Sequence, residues 1–211
     1  MNIKKSGFTL VELLVVMGVM ALFGTLIVTI FSRTLKGSNK SQIIGIIKQN
    51  GQAILEKMDK TIRNSDKVVC PSNNDSNNNN YKTLMIVKNG IYTRYRFIIP
   101  TLTVNGSIQQ DNPTKELVGI VGDTDYKLST DPAFINKLCA SSDQLISPVT
   151  LTDTNSQTGV SVDNGSFIIN QSAGFMDQVT INFDIKPGVK APESVTGQID
   201  AVNFKTTIQL R

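Results

Sequence analysis

Hydrophobic positions in this chain change their spacing twice. From Phe8 to Phe31 they are nearly continuous, broken only by Thr9, Glu12, Gly18, Gly24, Thr25 and Thr29. A run of roughly 24 residues suffices for a membrane helix, which needs about 20. After Gly37-Ser38-Asn39 the pattern becomes a single stripe. Ile43, Ile44, Ile47, Gly51, Ile54, Leu55, Met58 and Ile62 recur at i, i+3, i+4 spacing, with Lys48, Gln49, Gln52, Glu56, Asp59, Lys60 and Arg63 off it. Glu56–Lys60 and Asp59–Arg63 are i, i+4 ion pairs in the favourable order. Asn64-Ser65-Asp66 ends the helix, and the Gly37–Asn39, Gly45 and Gly51 sites are its weak points.

Beyond residue 66 the period shortens to two. Lys82–Lys88 and Ile91–Ile99 flank Asn89-Gly90, a hairpin signal, and Asn105-Gly106 marks a second turn. Glu116–Val121 and Leu145–Leu151 read as strands. Asp131 to Leu138 reads as a short helix with an Asp cap and Pro132 at its first position. Val160–Val162 and Phe167–Ile169 flank Asp163-Asn164-Gly165-Ser166, a further hairpin turn. Val179–Ile185 and Ala201–Leu210 form the last strand pair. Pro71 to Asn80 is a polar loop with little to bury. The pattern predicts an α+β fold: a long N-terminal helix, its first half in a membrane and its second half packed on an antiparallel sheet.

One carboxylate interrupts the apolar run. Placing Glu12 in hydrocarbon costs about 2.5–3.5 kcal/mol on insertion scales, so it needs a partner, and no cation lies between Lys5 and Arg33. Just before it stand Lys4, Lys5, Ser6, Gly7 and Phe8. The stretch KSGFTLVELLVVMGVMALFG resembles the N-terminus of type IV prepilins and of the pseudopilins of type II secretion and competence systems. The resemblance is specific but confined to about the first 30 residues. It implies a leader, residues 1–7, cut by a membrane prepilin peptidase between Gly7 and Phe8, with methylation of the new Phe8 amine. It also makes Glu12 the acidic position that pairs with a neighbouring Phe8 amine and sets register in a filament. Desolvation offsets much of such a pair's attraction, so its value lies in register rather than stability. The other readings of the stretch are weaker. No Ala-x-Ala site follows the run, as a secretory signal would require. Lysines before the span are balanced by Arg33, Lys36 and Lys40 after it, so a cytoplasmic N-terminus follows from the resemblance and not from charge.

Composition narrows the function. The 211 residues carry a net charge of +4, with 18% charged residues and neither His nor Trp. The commonest general base and metal ligand is therefore absent. There is no phosphate-binding glycine loop and no Cys-x-x-Cys. Asp123, Asp125 and Asp131 lack calcium-loop spacing. The expectation is a non-enzyme with no cofactor and no metal. The mild positive charge permits contact with DNA, but no basic patch argues for it. Cys70 and Cys139 are the only cysteines. In an exported domain they invite a disulfide, worth about 4 kcal/mol in the chain-entropy model, against two separate buried thiols.

These readings divide the chain into the leader (1–7), an assembly and membrane helix (8–31), its amphipathic continuation (32–65) and an extracytoplasmic β-rich domain (66–211). The expected function is that of a minor pilin or pseudopilin in a type IV pilus or secretion pseudopilus. Major pilins often bridge cysteines near the C-terminus, which this chain does not have. The implied partners are prepilin peptidase, other pilin subunits, the inner-membrane assembly platform and inner-membrane lipid. The alternative is a membrane-anchored extracytoplasmic binding module that never enters a filament.

Overall fold

A computed structural model describes residues 9–70, 81–112, 139, 148–193, 197 and 199–211. Helix α1 (Leu10–Arg63) is followed by strands β1 (Lys67–Cys70), β2 (Thr83–Lys88), β3 (Ile91–Ile98), β4 (Ser107–Asp111), β5 (Val149–Thr150), β6 (Val160–Asn170), β7 (Gln178–Pro187) and β8 (Val202–Gln209). The chain forms two compact units, residues 1–43 and 44–211. The strands make two antiparallel sheets, ordered β1-β2-β3-β4-β5 and β6-β7-β8.

The described part of the first unit is helix, and helical geometry continues through Gly37-Ser38-Asn39 and Gly45, where the sequence suggested weakness. In the second unit the stripe of α1 is buried: Ile47, Gly51, Ile54, Met58 and Ile62 are enclosed. A row of aromatic rings leads away from it. Phe204 of β8 lies on Gly51, where any Cβ would strike its ring. Phe204 stacks on Phe183 at 5.5 Å, Phe183 approaches Phe97 at 6.0 Å, and Phe97 meets Phe167 at 4.7 Å. Gly165 leaves room for Phe97, because a side chain there would overlap its ring. Backbone bonds join the two sheets directly: Tyr81 and Phe167 exchange N–H···O bonds of 2.9 and 2.7 Å, and Val162 N–H donates to the Gly106 carbonyl.

The first sheet is buried on both faces. Leu84, Tyr95 and Ile108 lie on one face; Met85, Val87, Tyr92, Arg94 and Asp111 lie on the other. On this second face Cys70 is bonded to Cys139 across 69 positions, with a Cα–Cα distance of 5.7 Å, and packs with Met85, Val87 and Tyr92. Arg94 and Asp111 form a two-armed pair at 2.9 and 2.6 Å, with side chains 2% and 0% exposed. Nothing in the alternating Tyr92-Thr93-Arg94-Tyr95-Arg96 pattern announces that the arginine face is also covered.

One predicted hairpin is corrected. Asp163-Asn164-Gly165-Ser166 does not reverse the chain; β6 runs through it as a bulge, since Asp163 faces Asp184 and Ser166 already faces Asn182. Asn164, at φ 49°, takes the left-handed conformation that absorbs the extra residue. The Asn89-Gly90 hairpin forms with both residues at positive φ, a two-residue primed turn. Asn105-Gly106 lies just before β4, and the last strand pair forms as β7 and β8. Of the predicted Leu145–Leu151 strand, β5 covers Val149–Thr150, and residues 145–147 lie outside the described residues. The predicted Glu116–Val121 strand, the Asp131–Leu138 helix and the Pro71–Asn80 loop lie outside the described residues.

Two measurements probe this core. Asp111→Ala removes the carboxylate that grips a buried guanidinium and should cost about 3–5 kcal/mol in denaturant unfolding, whereas Arg94→Met with Asp111→Leu should recover most of that loss. Gly51→Val should lower stability by about 1–3 kcal/mol through overpacking against Phe204. Gly45→Val, with open space around it, should not show that penalty.

Candidate functional site: the N-terminal end of helix α1

The first turn of α1 is closed by its own side chains. Thr9 precedes the helix, and its Oγ1 accepts the Glu12 N–H at 3.3 Å. Glu12 Oε2 reaches back to accept from the Thr9 N–H and hydroxyl, each at 3.3 Å. This is a capping box, with two orphan donors satisfied reciprocally and the carboxylate placed at the positive end of the helix dipole. The chain thus gives Glu12 a local partner, where the sequence reading found no charged one. Thr9 was missed as a functional residue, although the Thr-x-x-Glu spacing was its signal.

The helix that follows tolerates its hydroxyls by turning them inward. Thr25 Oγ1 donates to the Leu22 carbonyl at 2.8 Å, Thr29 to Thr25 at 2.8 Å and Thr34 to Ile30 at 3.0 Å. Their polarity is satisfied within the helix, as a hydrocarbon surrounding demands. From Leu13 to Phe31 the remaining side chains are apolar and uncovered. Its most apolar 18 residues have a mean hydropathy of 2.6 and none is buried. Leu10, Leu14, Met20, Leu22, Phe23, Ile27 and Phe31 all stand exposed. Such a surface is long enough to cross a bilayer or to pack among like helices. Gly7 and Phe8 lie outside the described residues.

No group of three or more His, Cys, Asp or Glu side chains positioned for a metal occurs among the described residues. A polar cluster does cover the outer face of the second sheet. Lys186 Nζ donates to Asp163 at 2.7 Å, Asn164 Nδ2 to Asp184 at 2.9 Å, and Asn203 Nδ2 to Asp184 at 2.7 Å. The Lys186 bond holds the Asp163 carboxyl below the usual carboxylate range; partial burial opposes it, and the Asn164 N–H and the charges of Lys186 and Lys82 assist. In the core, burial pushes the Tyr95 hydroxyl up, with Thr61 opposing.

One long N-terminal apolar helix packed against antiparallel sheets is an α+β architecture consistent with a pilin-like fold. Residues 2–28 match the family model described as the prokaryotic N-terminal methylation motif, the type IV prepilin and pseudopilin signature. No curated protein and no solved structure matches the chain. The motif supports a type IV pilin-like or pseudopilin precursor, and it implies processing by prepilin peptidase and assembly with other pilins.

The Asp163–Lys186 pair has a pH signature. Because the folded Asp163 is more acidic than an ordinary carboxyl of pKa about 3.9, its contribution is present above that value and disappears as pH falls through the folded one. Asp163→Asn should therefore lower the melting temperature at neutral pH, with the difference from the parent shrinking under acid. A difference that does not vary with pH would contradict the pairing.

Proposed function

We propose that this chain is a minor pilin or pseudopilin, a structural subunit assembled through its N-terminal helix into a type IV pilus or a type II secretion or competence pseudopilus. The observation that carries the reading is a methylation motif over residues 2–28 leading directly into an uncovered apolar helix. In this reading the leader (1–7) is cut between Gly7 and Phe8 and the Phe8 amine is methylated. Residues 8–31 span the inner membrane with the leader in the cytoplasm, 32–65 continue as the amphipathic helix, and 66–211 form the extracytoplasmic domain. The assembly platform then extracts the subunit. Cys70 and Cys139 carry their bridge in that oxidising compartment.

Glu12 has two successive roles. Before assembly, Thr9 shares its charge through the capping box. In the filament a neighbour's Phe8 amine offers a full positive charge, which methylation preserves, and a subunit out of step leaves the carboxylate without it. The pair therefore selects register.

The test compares parent and Glu12→Val chains in cells with the assembly machinery. Intact mass should show both chains without their first seven residues and with one added methyl, since Glu12→Val leaves the scissile bond untouched. Membrane levels of the variant should be equal or higher, because about 2.5–3.5 kcal/mol of burial cost is removed. Its content in sheared filaments should fall strongly. Normal incorporation would refute the pairing, and an uncut parent chain would refute the maturation.

A further inference from the structure

The chain contains four Asn-Gly pairs, at 50–51, 89–90, 105–106 and 164–165. The fold gives each a different surrounding. Asn50 lies within α1 and its Nδ2 donates to the Ile46 carbonyl at 3.0 Å. Asn105 is buried and held at both ends of its side chain: Nδ2 donates to the Asn155 carbonyl and Oδ1 accepts the Val189 N–H, each at 2.8 Å. The Gly106 N–H is itself bonded to Ser161 Oγ. Asn164 donates to Asp184, and Phe97 closes the space above Gly165.

Asn89 differs from all three. It is exposed at the tip of the β2–β3 hairpin, and its side chain makes no hydrogen bond among the described residues. Its own backbone N–H is anchored on Asp66 Oδ2 at 2.7 Å. The ladder closes between Lys88 and Ile91, which leaves the Gly90 N–H outside it, and nothing lies within 4 Å of where a Gly90 Cβ would stand. Lys60 and Lys88 line the same surface recess as Asn89.

We infer that Asn89 is a site of spontaneous deamidation, singled out by the fold from the four Asn-Gly pairs. Solvent hydroxide removes the amide proton of the exposed Gly90. The nitrogen attacks Asn89 Cγ, forming a C–N bond. The bond from Cγ to the side-chain nitrogen breaks, and ammonia leaves carrying a proton from water. A second water then opens the five-membered imide at either carbonyl, yielding aspartate or isoaspartate, with no change of oxidation state. The product places a negative charge beside the Asp66 carboxylate that holds the residue 89 N–H, and isoaspartate adds a backbone carbon to a two-residue primed turn.

The experiment ages the full-length protein, folded in detergent micelles, in mildly alkaline buffer. Peptide mapping then follows conversion at all four asparagines, beside a sample unfolded in guanidinium. In the folded protein residue 89 should convert at least about tenfold faster than 50, 105 and 164, where hydrogen bonds or packing must first be broken. In the unfolded chain the four should convert at similar rates. Another residue leading in the folded protein would overturn the inference, as would the same preference persisting after unfolding.

Discussion

The contact on which the second unit depends is the row of rings that starts on Gly51. Phe204, Phe183, Phe97 and Phe167 belong to β8, β7, β3 and β6, so one continuous apolar contact draws the helix and both sheets together. Two glycines make room for it. Gly51 lets Phe204 approach the helix backbone, and Gly165 makes room for Phe97 inside a strand. The second glycine lies in the bulge, where the strand takes an extra residue at Asn164-Gly165.

The first sheet is held differently. Its outer face carries a fully enclosed Arg94–Asp111 pair beside a disulfide and a small apolar cluster. A buried ion pair is weak evidence for stability but punishes the loss of either partner. The two-armed geometry also fixes the register of β3 against β4, because a one-residue slip would turn one of the charges to the opposite face.

The two units answer to different solvents. The described part of the second buries its helix stripe against its own sheets, while the helix of the first exposes apolar side chains and satisfies its hydroxyls internally. At its start the capping box gives Glu12 hydrogen bonds but no counter-charge. Neutral donors make the carboxylate tolerable in an unassembled chain and leave it able to accept a stronger, charged donor. A precursor of the type marked by the methylation motif has to be stable in both settings.

Much of this was legible in the order of residues. Unbroken hydrophobicity marks a membrane helix because hydrocarbon tolerates little else. The stripe from Ile47 to Ile62 marks a packed face because the helical period repeats it, and Asn89-Gly90 marks a turn because positive φ favours those residues. Gly7, Phe8 and Glu12 were legible as a motif, and their expected roles rest on it. Tertiary structure decided what depends on partners distant in sequence. The same Asn-Gly signal made a hairpin at residue 89 and a bulge at 164, and of the two only the second has a ring from β3 in the space above its glycine. Arg94 could not be read as buried, since its partner and its cover come from other parts of the chain. Local sequence states what the backbone prefers, whereas a side chain's surroundings are set by whatever the fold brings beside it.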